Sequence, residues 1–501
     1  MMGAGCGVVQ TANLRGVDAE PVRVEVSVSG GIPRLDIVGM PDSAVLEARS
    51  RVRCAIKSAG FEIPRLHVTV NLAPSERRKS GTGFDLPIAV AILVATRQLP
   101  ARVSDGCLLV GELALDGSVC PVRGDMSYAM LARELGLSLV TAAGSPLAGG
   151  WAGDARGLWS LAQLRGGTEG LPPLGAGAGE GACARAQEQE QELDFSEVVD
   201  QELAKRAMTI AAAGRHGVLM VGPPGSGKTM LARRLPTILP PLDEEERARA
   251  MLLHSVAGLP IDDLARGERP FRAPHHSISV GGLVGGGRPV MPGEVSLAHE
   301  GVLFLDELPE FSSSALQALR QPMEDRSVRI VRVDGAYVFP CDFQLVAAAN
   351  PCPCGYLGDP SHECSCPPAK VAAYQAKIGG PLMDRIDVVV SVSRPASSKV
   401  IRGRRGLGSE EMAQTVLAAR EFRNWREARS GDARGDPVAA ANLDDAARAT
   451  FESLSERLAL GGRAIARVSR VARTIADMGE REKVAEDDLV EALGFRSRLT
   501  G

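Results

Sequence analysis

Aromatic side chains are scarce. Phe, Trp and Tyr make up 4% of the 501 residues, which disfavours an open platform of rings stacked on bases. Long apolar runs are missing too. The longest, Leu86 to Ala95, is interrupted by Pro87 and reaches about half of the ~20 residues a membrane-spanning helix needs. The opening text, MMGAGCGVVQ, carries neither a basic stretch nor an apolar segment, so nothing in it directs export, and Cys6 is not a lipoprotein site. A cytoplasmic protein with no membrane partner is the expectation. Neither sign of charge dominates: 57 basic and 61 acidic residues leave a net charge of −4. Binding to nucleic acid would therefore need a local basic surface rather than a global field. The ten cysteines, in a reducing compartment, do not form a disulfide framework. Six are scattered and read as small buried apolar residues. The other four are clustered and are taken up below.

What is present is enough apolar side chain, 45% against 24% charged, to build real cores in roughly two to four domains. Residues 1–165 open with the alternating strand Val22 to Val28, followed by a helix over Ser43 to Ser58, a strand over His67 to Leu72 and an apolar helix from Asp85. A hairpin over Leu108 to Val122 turns at Asp116-Gly117, so this is an α+β module. Residues 166–192 are rich in Gly, Ala, Glu and Gln without apolar periodicity, and they read as a flexible linker. Residues 193–393 alternate helix and strand (helix Glu202 to Ala213, strands Val218 to Val221, Val302 to Leu305 and Leu345 to Ala349), which predicts an α/β fold with a mostly parallel sheet. Residues 394–501 start with text that has no core pattern and are helical from about Glu410.

Between the strand at Val218 and the next helix stand Gly222, Pro223, Pro224, Gly225, Ser226, Gly227, Lys228 and Thr229, a complete P-loop in the context that makes it credible. Glycines let backbone N–H groups wrap phosphate oxygens. Lys228 would charge-pair with the β- and γ-phosphates, and Thr229 would offer its hydroxyl to Mg²⁺. About eighty residues on, an apolar strand ends in Asp306 and Glu307. Asp306 is suited to the Mg²⁺ shell and Glu307 to polarising the attacking water. ATP and Mg²⁺ are the implied cofactors.

GPPGSGKT, VLFLDELPEF and AAANPCPCG, with FRAPHHSISVGGLVGGGRPVMPGEVSLAHEG and GRAIARVSRVARTIAD, together resemble the magnesium-chelatase-like branch of AAA+ ATPases, closest to the YifB/ComM group. The resemblance runs through nearly the whole chain. It implies a P-loop AAA+ core with a C-terminal helical lid, assembled as a homo-oligomeric ring of six. It also implies that Asn350 senses the γ-phosphate or the lytic water. Arg385 is similar to the arginine finger that reaches a neighbour's nucleotide, a task suited to a permanently charged fork of donors. Arg463 resembles the second sensor arginine. RKSGTGFDLPIAVAIL and GELALDGSVCPVRGDM resemble the Lon-protease module of ribosomal-S5 second-domain fold. Where that protease has its serine and lysine, this chain has Gly83 and Met126, so nucleophilic catalysis is not expected. Lys79 and Ser80 are near but adjacent in sequence. The module reads instead as an interaction or ring-building domain, with a protein partner open to it.

Cys352, Cys354, Cys364 and Cys366 form two C-x-C pairs nine residues apart, with His362 between them. They could close a structural Zn²⁺ site or remain free thiols. For a substrate, the resemblance implies a DNA motor, since the ComM group is linked with helicase and branch-migration activity. Residues 326–340 alternate basic and apolar residues around Asp334-Gly335, and could present Arg329 and Arg332 to DNA in a pore. Residues 272–288, with His275, His276 and Arg288, form a second candidate, and Arg402 to Arg405 a short basic run. A chelatase-type remodeller of a protein or metal-insertion partner is the second reading. The front module weighs against it, because the chelatase motor is expected to lack one. A non-enzymatic scaffold is a distant third.

Overall fold

A computed structural model describes residues 6–147, 149–151, 153–174, 193–333, 335–378, 382–402, 406–430 and 436–496. The first module is built on a seven-stranded mixed sheet. Its order is Arg34–Val38, His67–Ala73, Asp18–Ser29, Cys6–Arg15, Cys107–Leu109, Ser138–Ala142 and Ala155–Leu158. Cys6–Arg15 and Asp18–Ser29 pair antiparallel from Cys6↔Ser27 to Arg15↔Asp18, while the last three strands run parallel to Cys6–Arg15. In Asp18–Ser29 the valines at 22, 24, 26 and 28 are buried and the residues between them are not, the period-two pattern of a strand covered on one face. Helices Ser43–Ser58 and Asp85–Ala95 share that core. The second is apolar all round because it is buried on nearly every side. Its Asp85 is buried and accepts from Arg51 at 2.6 and 3.0 Å and from the Leu113 N–H at 3.3 Å, tying both helices to the hairpin Glu112–Leu113/Val119–Cys120. That hairpin turns where the sequence placed it, with Gly117 at φ +90°.

The linker reading covered residues 166–192, and here the structure differs. Leu171 is buried in the module's core, the Gly157 N–H donates to Pro172 O at 2.8 Å, and the Leu174 N–H donates to Ala155 O at 2.8 Å. Residues 166–174 therefore pack as part of the first module, because one leucine and two prolines suffice to seat a segment whose glycines hide any periodicity. Residues 175–192 lie outside the described residues.

The second piece contains a five-stranded sheet in the order Phe271–Arg272, Val302–Leu305, Gln344–Ala349, Val218–Val221 and Val388–Ser391, with every pair parallel. Strands Val302–Leu305 and Gln344–Ala349 are buried throughout, which is why they read as unbroken apolar runs. The C-terminal helices Ser409–Ser430, Asp445–Arg457, Gly462–Met478 and Glu486–Gly494 join this core. Val468, Val471, Ala472 and Ile475 pack in one cluster with Ala207, Val218 and Phe304. The helices are anchored at the N-terminal ends of the strands: His216 meets Asp387 at 3.0 Å and Thr474 at 2.8 Å, and the Val389 N–H donates to Phe495 O at 2.8 Å.

The two modules meet along helices Asp125–Leu135 and Glu244–Ala257. Met126, Tyr128 and Leu131 pack with Leu242, Ala250, Met251 and Ile261. Asp125 is buried in this seam, and burial pushes its carboxyl up to about 7. Among the described residues no helix is long and apolar enough to cross a membrane.

Candidate functional site

In a parallel sheet the loops that follow the strands gather at one end, and a crevice forms there. The loop after Val218–Val221 is the phosphate loop. Gly225 and Gly227 stand at φ +76° and +92°, a region costly to any residue with a Cβ. Nothing lies within 4 Å of where a Cβ would be at either position, so bare backbone faces open space, as close approach to phosphate requires. Ser226 Oγ is buried and has no hydrogen-bond partner among the described residues. Lys228 is buried, and its Nζ donates to Gly222 O at 2.7 Å, Pro223 O at 2.9 Å and Asn350 Oδ1 at 3.2 Å. Burial depresses its pKa, while Asp306 and Glu307 oppose that shift. An ammonium so held gains from an anionic neighbour. Thr229 Oγ1 donates to Asp306 Oδ2 at 2.7 Å. A hydroxyl paired with a carboxylate is the oxygen donor set that a hard cation such as Mg²⁺ takes. Lys228, Thr229, Asp306 and Asn350, drawn from three strand ends, are thus together, and the donors fit a triphosphate with its cation.

Glu307 is exposed and sits in the left-handed region at φ +52°, a strained conformation for a non-glycine residue of the kind that clusters at working sites. His276 Nδ1 lies 3.4 Å from its carboxylate, and the His276 ring leans on His275 at 4.0 Å and on Phe311 at 6.5 Å. The histidines, part of a segment that could face a channel, lie at the acidic strand tip, because Phe271–Arg272 and Val302–Leu305 are neighbouring parallel strands and the residues just past each leave the sheet side by side.

Arg385 and Arg463 belong to the opposite end. Arg385 precedes Val388–Ser391, and Val388 is level with Val218, where the strand leading to the phosphate loop begins. The Val388 N–H donates to Gly217 O at 3.0 Å. From Gly217 to Gly222 the chain rises about 16 Å along the strand, more than an arginine side chain can span. Arg385 pairs with Glu324, whose carboxyl it holds below the usual range through that hydrogen bond. Arg463 pairs with Asp384, next to Arg385. The expected lid arginine therefore stands with the expected finger arginine and not beside its own chain's phosphate loop.

The protease-like positions carry no dyad. Gly83 is buried, with Val110 Cγ1 3.2 Å from where its Cβ would be. Met126 is buried in the seam, its N–H donating to Ser255 Oγ at 3.2 Å. Lys79 is buried with its Nζ on Pro74 O, and the Ser80 N–H donates to Asn13 Oδ1 at 3.0 Å. Met126, the position that the resemblance aligns with the protease lysine, thus packs in the seam between the module and the second piece.

The first candidate DNA segment is a hairpin, while the second holds the short helix Val280–Val284 and one strand of another hairpin, and the two hairpins touch. Ser327–Arg332 pairs with Gly335–Pro340, Gly285–Gly286 pairs with Met291–Pro292, and Ile330 and Arg332 reach Gly285 and Gly286. Arg288, Arg329 and Arg332 are exposed. Asp334 and residues 403–405 lie outside the described residues. The four cysteines of the C-x-C pairs converge, all sulfurs within 4.8 Å of one another. Two contacts had no sequence signal: Arg394 Nε donates to Pro224 O at 3.1 Å, and Gln201 Nε2 to Ser226 O at 3.4 Å.

A parallel sheet with a phosphate loop after its fourth strand in spatial order, an acidic pair two strands away and an asparagine on the central strand between them defines a P-loop fold of the AAA+ type. Residues 194–400 match the family described as magnesium chelatase, subunit ChlI. Residues 24–144 match subunit ChlI of Mg-chelatase, and residues 406–496 match the magnesium chelatase subunit ChlI C-terminal family. YifB of Escherichia coli is 38% identical over 504 residues, covering 98% of this chain and 97% of that protein. The competence protein ComM of Haemophilus influenzae is also 38% identical over 504 residues with the same coverage. The magnesium-chelatase 67 kDa subunit of Chlorobaculum parvum is 31% identical over 165 residues, 31% of this chain and 23% of that protein. The chain belongs to the YifB/ComM family of magnesium-chelatase-like AAA+ proteins.

Proposed function

We propose that the chain is an ATP-hydrolysing motor that works as a ring, six-membered by family resemblance, on single-stranded or branched DNA. The observation that carries the ring is the distance between the phosphate loop and the Arg385–Arg463 pair. One chain offers a triphosphate site at one end of its sheet and two exposed arginines at the other, so complete sites form only between neighbours, head to tail. Lys228 and the loop N–H groups would hold the phosphates. Thr229 and Asp306 would hold Mg²⁺, which supplies charge neutralisation. Glu307 accepts a proton from the water, and Asn350 keeps Lys228 and that water in register. The front module, Lon-like by resemblance, serves as a docking domain, and its seam with helix Glu244–Ala257 supports that role.

His276 positions Glu307. His276→Ala is expected to lower turnover several-fold while ATP affinity stays unchanged, as steady-state rates and nucleotide titration would read. Unchanged turnover would make the contact incidental.

DNA is favoured by the two adjoining hairpins with exposed Arg288, Arg329 and Arg332, a surface able to grip phosphates without reading sequence. The competence name of the Haemophilus relative agrees with it. The test is ATP turnover at low salt without DNA and with single-stranded, duplex and four-way-branched DNA. Stimulation by single-stranded or branched DNA that fades as salt rises is expected. Turnover indifferent to every DNA would replace this reading with a remodeller of a protein or metal-insertion partner, as the chelatase resemblance allows.

A further inference from the structure

The cysteine cluster has the geometry of a closed metal site. The Sγ separations are 3.4 Å for Cys352–Cys354 and 3.6 Å for both Cys352–Cys364 and Cys354–Cys364, with Cys366 in the same group. Thiolates at ~2.3 Å from a tetrahedral Zn²⁺ stand about 3.8 Å from one another, close to these values. A disulfide needs about 2.05 Å. The Cys354 N–H points at Cys366 Sγ at 3.3 Å, the backbone-to-sulfur bond that offsets the charge of a thiolate ligand. Four sulfurs leave no open position, so the site is structural.

The loop between the two C-x-C pairs is laid against the phosphate loop. A Cβ on Gly355 would fall 2.6 Å from Pro224 Cδ and 3.8 Å from Asn350 Cγ, so the knuckle touches both the cradle and its asparagine. A second link runs through Arg394. Its Nε donates to Pro224 O at 3.1 Å, and its guanidinium lies 5.5 Å from the Tyr356 ring centroid and 3.3 Å from His362 Nδ1, with Asp359 4.0 Å away. Tyr356 stacks on His362 at 4.9 Å. The segment between the cysteines thus grips one arginine, and that arginine holds a carbonyl of the phosphate loop.

We propose that Cys352, Cys354, Cys364 and Cys366 bind one structural Zn²⁺ as thiolates, and that the resulting knuckle braces the phosphate loop, so that nucleotide affinity depends on the metal. The second half rests on the nucleotide reading above, whereas metal content is measured without nucleotide, so the two can fail separately.

The test starts with protein purified without chelator and assayed for metal. About one zinc per chain is expected, released by a mercurial thiol reagent. Reconstitution with Co²⁺ should give the sulfur-to-metal charge-transfer and intense visible bands of a tetrahedral thiolate site. No zinc above background and no cobalt spectrum would overturn the site. Titration with a fluorescent ATP analogue then compares zinc-loaded and stripped protein of equal helical content. Several-fold weaker binding after stripping, reversed by Zn²⁺, is expected, and equal affinity would overturn the brace. Because cysteine variants can fail to fold, Arg394→Ala gives a separate reading. It should keep its zinc while binding the analogue several-fold more weakly, and wild-type affinity would remove Arg394 from the brace.

Discussion

Glu307→Gln should cut ATP turnover about a hundredfold or more while leaving ATP binding in place. A positioned general base contributes on the order of 10²–10⁴ in rate, and an amide has the shape of the carboxylate without its basicity. Binding should survive because the groups that would hold the nucleotide do not depend on Glu307. Lys228 is fixed by two loop carbonyls and Asn350, and Thr229 by Asp306. Backbone strain gives no reason for the variant to unfold either, since glutamine meets the left-handed conformation at 307 on the same terms as glutamate. Steady-state turnover and titration with a fluorescent ATP analogue would be measured on the same preparation. Turnover at the wild-type rate would mean that another group activates the water. Lost binding would mean that Glu307 holds the cradle rather than the water.

The parts of the fold and of the candidate site that were legible in the sequence are those whose signal is local. Helix Ser43–Ser58 announces itself by apolar steps of three and four, and the phosphate loop and Asp306-Glu307 by fixed residue types around a strand. What could not be read depends on which strands become neighbours. His276 comes to Glu307 because two short parallel strands adjoin, and nothing in either segment names the other. The bond from Arg394 to Pro224 spans 170 residues. Arg463 was recognised by resemblance, but its place beside Asp384 follows from how helix Gly462–Met478 packs against the base of the sheet, a tertiary fact without a sequence period. At residues 166–174 the failure was of another kind: Leu171, Pro172 and Pro173 seat the segment with too few apolar residues to form a pattern.

Arg385→Ala is expected to lower turnover roughly a thousandfold, the low end of what an arginine finger supplies, without weakening ATP binding. Neither residue that pairs with this end of the chain, Glu324 with Arg385 or Asp384 with Arg463, belongs to the phosphate loop, so the loss should fall on the chemical step. A single variant cannot say whose nucleotide the arginine serves, but a mixture can. Arg385→Ala subunits keep Glu307 and lack the finger, whereas Glu307→Gln subunits keep the finger and lack the base. In a head-to-tail ring, each interface takes its base from one neighbour and its finger from the other. Equal random mixing therefore completes about a quarter of the interfaces, and the mixture should hydrolyse ATP far faster than either variant alone. If mixing under conditions that exchange subunits restores nothing, while wild-type subunits mixed with either variant remain active, Arg385 does not act across the interface. The 16 Å argument would then need a conformation in which the two ends of one sheet approach each other.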